Sequence, residues 1–481
     1  ALMAFTRNPR AIGFVAGVAA FAASLVVPPP SGMPPEALRV AGIAALMAAW
    51  WITEVIPVPA TALLPLILFP LLGVSPLAET SAPYADPIVF LFLGGFILGA
   101  ATQRWALHTR IGLGIVASIG TSPGRLAAGL ILASAFLSMW VSNTATAIMM
   151  LPVATAVSVL YERQIADRRS GENLGIMLHL SVAYGASIGG LATLIGTPPN
   201  ALLAGHMARE YGIQIGFVQW MMLGVPVSAV MLAAAWFVLT RLHPVSPSGE
   251  NNFDGVIDRE LSKLGRITPA EVRVIAVLAL AAIGWIFRPL LSPVIPGLHD
   301  SIVAVTAAVA LFLLPSGMPE GGRLLAWKDM KEIPWGVLLL FGGGLSLAAA
   351  IDASGLAAWF AGAMSALASW PVILIVVAAT VGMIFLTELT SNTASAATFL
   401  PFGAAVAIGL GLDPLTLTIP MALAASCAFM LPVATPPNAI VYASGRISVA
   451  QMAHAGLWLN LIGAVLIVLL SYPASLFLFG K

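Results

Sequence analysis

A chain of 481 residues that is 59% hydrophobic and 9% charged, with a mean hydropathy of +0.99, is excluded from the water-soluble classes. Apolar runs of about 20 residues, the length that crosses a hydrocarbon core, recur along it and make it a polytopic helical membrane protein. A net charge of +1 with no basic patch interleaved with aromatics gives no reason to expect nucleic acid, and the single Cys427, in an apolar run, excludes a disulfide framework and reads as a packing residue.

In chain order, the apolar runs predict helices over roughly 10–28, 37–56, 58–74 and 86–105. The first, Ala11 to Val27, follows Arg7 and Arg10 as a signal peptide would. Pro28-Pro29-Pro30 stands where a small-residue cleavage site belongs, so the run reads as a membrane helix. Residues 106–120, which follow Trp105, and 353–368 are too rich in Gly and Ala to assign and are placed along the interface. A segment over 122–160 with a polar middle follows, then a helix over 173–195 with a short continuation past two prolines, then one over 215–241. A polar linker from His243 to Thr268 holds Asp254, Asp258, Arg259, Glu260, Lys263 and Arg266 and divides the chain. Beyond it come 270–290, 299–315 and 334–352, a second polar-tipped segment over 370–410, then 414–432 with its own continuation, and 455–479. The expected architecture is all-α and polytopic, with about 11 transmembrane helices.

Two motifs occur twice, in the same order. Ser142-Asn143-Thr144 precedes Thr197-Pro198-Pro199-Asn200, and Ser391-Asn392-Thr393 precedes Thr435-Pro436-Pro437-Asn438. The triplets stand 249 residues apart, with Leu93-Gly94-Gly95 and Gly342-Gly343-Gly344 at matching distances ahead of them. Each triplet lies midway in a segment of nearly 40 residues, enough for two half-crossings and awkward for one helix, which predicts two re-entrant hairpins. Five predicted crossings separate them. An odd number sets the hairpins on opposite faces with their tips meeting near the midplane, an inverted repeat in which each copy also has a broken helix. The expected divisions are first-repeat scaffold helices over 1–121, first-repeat transport elements over 122–242, a cytoplasmic linker over 243–268, second-repeat scaffold helices over 269–369 and second-repeat transport elements over 370–481. With the N-terminus cytoplasmic, seventeen Lys and Arg fall on the inner side and only Arg39, Arg209, Arg288 and Lys481 on the other, a strong positive-inside bias.

A tip at the midplane has orphan N–H groups at the start of its outgoing half-helix and orphan carbonyls at the end of its ingoing one; the first attract anions, the second cations. Ser, Asn and Thr serve both without a charge to desolvate. The paired prolines withdraw two N–H donors and break a helix, exposing carbonyls to a hard cation and opening another N-terminus to an anion. A single copy reads equally well as interhelical glue and an ordinary kink. Two copies of both motifs in one order point to a shared site.

These residues resemble the divalent anion/sodium symporter family, a likeness carried by the tandem Ser-Asn-Thr tips, each followed by Thr-Pro-Pro-Asn. It extends to Trp50-Trp51-Ile52-Thr53-Glu54, Pro59-Ala60-Thr61-Ala62-Leu63-Leu64-Pro65 and Ser138-Met139-Trp140-Val141. The resemblance implies a bacterial homodimer in the inner (plasma) membrane, in contact with membrane lipid, whose hairpins and broken helices slide against a scaffold as an elevator. It also implies import of dicarboxylates such as succinate, malate or fumarate together with Na+. By the same resemblance, one sodium site falls on Ser138, Ser142, Asn143 and the carbonyl of Gly196, and a second on Thr387, Thr390, Asn392 and the carbonyl of Ala434. The substrate carboxylates fall to Ser142, Asn143, Thr144, Ser391, Asn392 and Thr393, with Thr197, Pro198, Thr435 and Pro436.

Neither 138–152 nor 385–401 contains Lys, Arg or His, so a bound dianion has no counter-charge there beyond helix dipoles. Bound sodium would supply it, which favours symport over sodium-independent exchange; citrate or sulfate remains an alternative cargo. Glu54 and Glu388 are read as intramembrane carboxylates with a hydrogen-bonding role ahead of proton coupling, and His179 as a packing histidine. Gly185-Ala186-Ser187-Ile188-Gly189 matches a hydrolase nucleophile pattern but lies in a membrane helix, where its glycine spacing serves close packing, so no enzyme is expected. A channel would need a continuous polar path, and the polarity here is concentrated at two tips.

Overall fold

The computed structural model describes residues 9–120, 122–164, 167–245 and 254–479. Among them the chain is helical, with one isolated β-bridge between Pro315 and Arg323. Nine helices in the described residues are long and apolar enough to cross a bilayer, which makes this a multi-pass membrane protein. Three expected crossings are shorter than that: Val58–Leu71, Asp300–Leu313 and Leu415–Ala425. Helix starts follow local chemistry. Pro35, Pro87, Pro123, Pro198, Pro269 and Pro436 open their helices, where the missing N–H has no partner to lose. Thr268 with Glu271, and Ser448 with Gln451, form capping boxes.

Both unassigned stretches are helical, Leu107–Ile119 and Leu356–Ala363, each entered through a left-handed residue: Ala106 at φ 50° and Gly355 at φ 78°. The linker holds a helix the sequence reading did not anticipate, Asp254–Lys263, while Ser246 to Phe253 lie outside the described residues. Arg110 ties this region together. Its guanidinium donates to Glu271 at 2.7 Å and to the carbonyls of Leu264 and Gly265, joining a helix of the first half to one of the second.

Both polar-tipped segments are pairs of helices meeting at a non-helical tip, Pro123–Ser138 with Asn143–Gln164 and Val372–Thr387 with Asn392–Gly409. Both proline motifs sit where a helix breaks. Arg168–Gly189 runs through a 3₁₀ turn, Gly190–Ala192, into an unwound loop before Pro198–Tyr211; Leu415–Ala425 unwinds until Pro436–Ala443. From Leu174 to Ala192 this span is buried inside the protein. Its Gly185 and Gly189 lie against Ile131 and Ala135 so closely that a Cβ would come within 2.7 Å of the Ile131 carbonyl oxygen and 2.3 Å of the Ala135 Cα, the close packing expected of that glycine pair.

Candidate functional site

The two tips and the two broken helices converge on one cavity of about 1540 Å³. Its lining includes Ser142, Asn143 and Thr144 from the first tip, Ser391, Asn392 and Thr393 from the second, and Gly196, Thr197, Pro198, Ala434, Thr435 and Pro436 from the breaks. All ten residues expected to bind substrate therefore face a common space. Four helix N-termini open into it, at Asn143, Asn392, Pro198 and Pro436, and their partial positive charge suits an anion. The hydroxyl of Ser142 caps its helix by accepting from Ala145 N at 3.3 Å, whereas Ser391 makes no such cap bond.

Ser138 and Thr387 lie one step behind the lining, fully buried. Ser138 Oγ donates to Asn143 Oδ1 at 2.5 Å, and Thr387 Oγ1 stands 2.7 Å from Asn392 Oδ1 and 2.9 Å from the carbonyl oxygen of Ala425. One hydroxyl proton serves only one of those two acceptors, so the cluster is rich in oxygen and short of hydrogen, the composition a hard cation prefers. Thr390 lines the cavity, but its hydroxyl donates to Leu386 O at 3.0 Å and contacts Ser395.

At the first break the backbone itself shapes the oxygen cluster. A Cβ on Gly190 would sit 2.9 Å from both Asn143 Oδ1 and the carbonyl oxygen of Gly196, so these two oxygens flank a space that only glycine leaves open. Gly190 was not among the residues singled out from sequence. Its signal is its place seven residues before the proline motif, where the second half has Ala428.

The asparagine closing each proline motif does the same work in both halves. Asn200 Nδ2 donates to the carbonyls of Gly190 and Thr193 at 3.2 and 2.8 Å; Asn438 Nδ2 donates to those of Ala428 and Leu431, both at 3.1 Å. Each amide satisfies carbonyls ten and seven residues back that the unwound helix leaves orphaned. The two breaks also touch each other, with Thr197 Oγ1 3.1 Å from Ser426 Oγ.

Around this neutral centre the charged groups are sorted. Arg10, Glu54, His108 and Glu332 line other parts of the cavity. Glu54 is exposed and ends its helix in a left-handed conformation, φ 48°. Glu388 is buried at the second tip and accepts from the backbone N–H groups of Phe429, Met430 and Leu431 and from Asn460. His179 is buried with Nδ1 2.7 Å from Gly175 O and Nε2 3.1 Å from Thr155 Oγ1, a satisfied packing histidine. Cys427 is buried, its thiol 3.3 Å from Leu423 O.

Over residues 9–479 the chain matches the family described as the sodium:sulfate symporter transmembrane region. It is 41% identical over 473 residues to a sodium-dependent dicarboxylate transporter of Staphylococcus saprophyticus, covering 96% of this chain and 90% of that one, and to the same degree to the protein of that name in Staphylococcus aureus. Among solved structures it superposes on the YdaH transporter of Alcanivorax borkumensis with a TM-score of 0.56 at 13% identity, over 89% of this chain and 98% of that one. MtrF of Neisseria gonorrhoeae gives 0.54 at 13% identity, over 97% and 94%. These two likenesses concern the fold alone.

Proposed function

Since the chain belongs to the sodium:sulfate symporter family, matched almost end to end, we propose that it is a secondary active transporter that imports C4-dicarboxylates such as succinate, malate and fumarate by sodium symport. The observation that carries this reading is the cavity where two Ser-Asn-Thr tips and two Thr-Pro-Pro breaks meet. Helix N-termini and hydroxyls there suit two carboxylates, while oxygen clusters behind each asparagine suit sodium. The named relatives, sodium-dependent dicarboxylate transporters at 41% identity, point to the same cargo and ion. With no Lys, Arg or His on either tip, sodium supplies the positive charge the dianion needs, and substrate and ion enter the site together.

The ion sites are assigned to Ser138, Ser142, Asn143 and Gly196, and to Thr387, Thr390, Asn392 and Ala434. In the second, Thr390 contributes through its backbone, its hydroxyl being engaged elsewhere. The re-entrant hairpins enter from opposite faces and, with the broken helices, form a transport domain that slides against the remaining helices as an elevator, in a homodimer in the inner membrane with the N-terminus cytoplasmic. The cavity also reaches Arg10, Gln103, His108 and Glu332, all near ends assigned to the cytoplasmic side, so this conformation is read as inward-facing. Reconstitution in liposomes with an imposed sodium gradient and a panel of labelled anions, sulfate and citrate included, tests the reading. Uptake should rise cooperatively with external sodium and favour the four-carbon dianions. Equal uptake in potassium would end the symport reading, and uptake that instead required an anion inside would mark an exchanger.

A further inference from the structure

We propose that Glu388 is a positioning residue for the second cation site, an inference that rests on the sodium-symport reading above. Its Oε1 accepts from Phe429 N at 2.7 Å, Met430 N at 2.9 Å and Asn460 Nδ2 at 2.7 Å, and its Oε2 from Leu431 N at 3.0 Å. Four donors on one carboxylate gather three successive N–H groups of the unwound loop and a side chain of the last long helix, Val449–Phe477. That loop carries the oxygens nearest the second tip. It begins beside Ala425, whose carbonyl Thr387 approaches, and ends at Ala434 and Thr435 on the cavity wall. Glu388 directly follows Thr387 in the chain, so the loop and the tip are fixed to each other through adjacent residues.

A buried carboxylate is a costly way to hold a loop, and this fold does not require one. In the first half Met139 takes the position of Glu388, and there the hydroxyl of Thr193 donates to the carbonyl of Met139 at 2.7 Å, a neutral clasp at the corresponding place. What the charge adds at the second break is a negative field beside oxygens suited to a cation, together with a fixed course for the loop that leads to the Ala434 carbonyl. The side chain does not line the cavity, so it acts through the loop and through its field rather than as a ligand.

The test uses the purified full chain in lipid nanodiscs. Its unfolding temperature is followed while sodium chloride replaces potassium chloride at constant ionic strength, without dicarboxylate. The wild type should gain stability with sodium, and Glu388→Gln should raise the half-saturating sodium concentration about tenfold, with a far smaller change in its unfolding temperature in potassium. A variant that unfolds earlier in potassium yet keeps the wild-type half-saturation would mean that Glu388 only holds structure, and the inference would be overturned. If Glu388→Gln does not fold, Asn460→Ser decides, because it removes one donor and keeps the carboxylate. A shift of about threefold is expected there, and an unchanged half-saturation overturns the inference. A wild type with no sodium-specific stabilisation would sink the symport reading and this inference together, whereas a normal wild type with an unaffected Glu388→Gln sinks the inference alone.

Discussion

In the first half-site a hydroxyl from Thr193 clasps the carbonyl of Met139, and the turn after the helix is Gly190, with no side chain between Asn143 and Gly196. In the second, Glu388 takes the place of Met139 and gathers three backbone N–H groups, and Ala428 takes the place of Gly190. What the halves share is the frame: the tip asparagine facing a hydroxyl, the proline break, and the closing asparagine donating ten and seven residues back. The shared parts satisfy orphaned backbone groups in a medium without water, so they are what either break needs in order to fold. The unshared parts are packing and charge around the oxygens. Burial of a carboxylate costs several kcal/mol, and each hydrogen bond to a charged group returns about 1.5–3 kcal/mol. Four such bonds make Glu388 affordable; they do not explain why only one half has it. The difference therefore lies in the charge and space set around the oxygens of each half.

The sharpest way to break the comparison is to remove what the halves share. Asn143→Ala and Asn392→Ala each delete an oxygen from the cluster behind the tip and an amide from the cavity wall. Each should lower sodium-driven uptake by about 100-fold or more, equivalent to two lost contacts at about 1.4 kcal/mol per decade. Initial uptake rates in proteoliposomes, normalised to reconstituted protein, measure it. Unequal losses, with one variant near wild type, would mean that only one tip carries the site.

The next prediction exchanges an unshared part. A methyl group on Gly190 would stand 2.9 Å from two oxygens, tighter than a carbon–oxygen contact permits, so Gly190→Ala must push Asn143 or Gly196 aside. The half-saturating sodium for uptake should rise roughly 10- to 100-fold, corresponding to about 1.4–3 kcal/mol. Ala428→Gly, the reverse exchange in the second half, removes a methyl and opens no ion cluster, and should change the same quantity by less than about threefold. Similar effects from both would show that the two cradles do not differ in the way their glycine and alanine imply.

Much of this plan was legible in the sequence because membrane burial leaves few reasons for polar residues. Apolar runs located the spans, and duplication of Ser-Asn-Thr and Thr-Pro-Pro-Asn located every residue of the substrate candidate set, all of which line the cavity. The helix Asp254–Lys263 was missed because a polar linker gives no burial periodicity to the eye, and the short helix after Ala106 because Gly112 and Gly114 lower its helix preference. Gly190 was hidden for a different reason. It lies outside the duplicated motif, and one glycine among 45 reveals nothing until its neighbours are placed. Glu388 was visible as a buried charge, but its partners sit more than 40 residues away along the chain, a contact that no local pattern encodes.

A smaller effect is expected at Tyr184, which crosses from the first broken helix to the second. Its hydroxyl donates to the carbonyl of Phe429 at 3.0 Å, with that of Met452 at 3.3 Å, inside a fully buried environment. Tyr184→Phe leaves at least one buried carbonyl short of a donor and should cost about 1–2 kcal/mol of stability, read as a lower unfolding temperature in detergent. Because Phe429 is also held by Glu388, the half-saturating sodium should rise about twofold. An unfolding temperature equal to wild type would show that this link contributes nothing to holding the second loop.

The smallest effect concerns a position where the halves carry the same conformation with different residues. Ala106 and Gly355, 249 residues apart like the triplets, each enter a helix through positive φ, at 50° and 78°. A left-handed residue with a Cβ costs roughly 1–2 kcal/mol that glycine avoids, while glycine gives back about 0.5–1 kcal/mol through the greater freedom of its unfolded chain. Each exchange should therefore move stability by no more than about 1 kcal/mol, with opposite signs: Ala106→Gly upward and Gly355→Ala downward. The space around Gly355 does not obscure the test, since the nearest atom to an added Cβ is Pro34 Cγ at 3.4 Å, an ordinary contact. Unfolding temperatures of the two single variants, in the same detergent and without substrate, measure the pair. Shifts of the same sign would show that the two turns are not equivalent and that backbone strain at Ala106 is relieved by its surroundings.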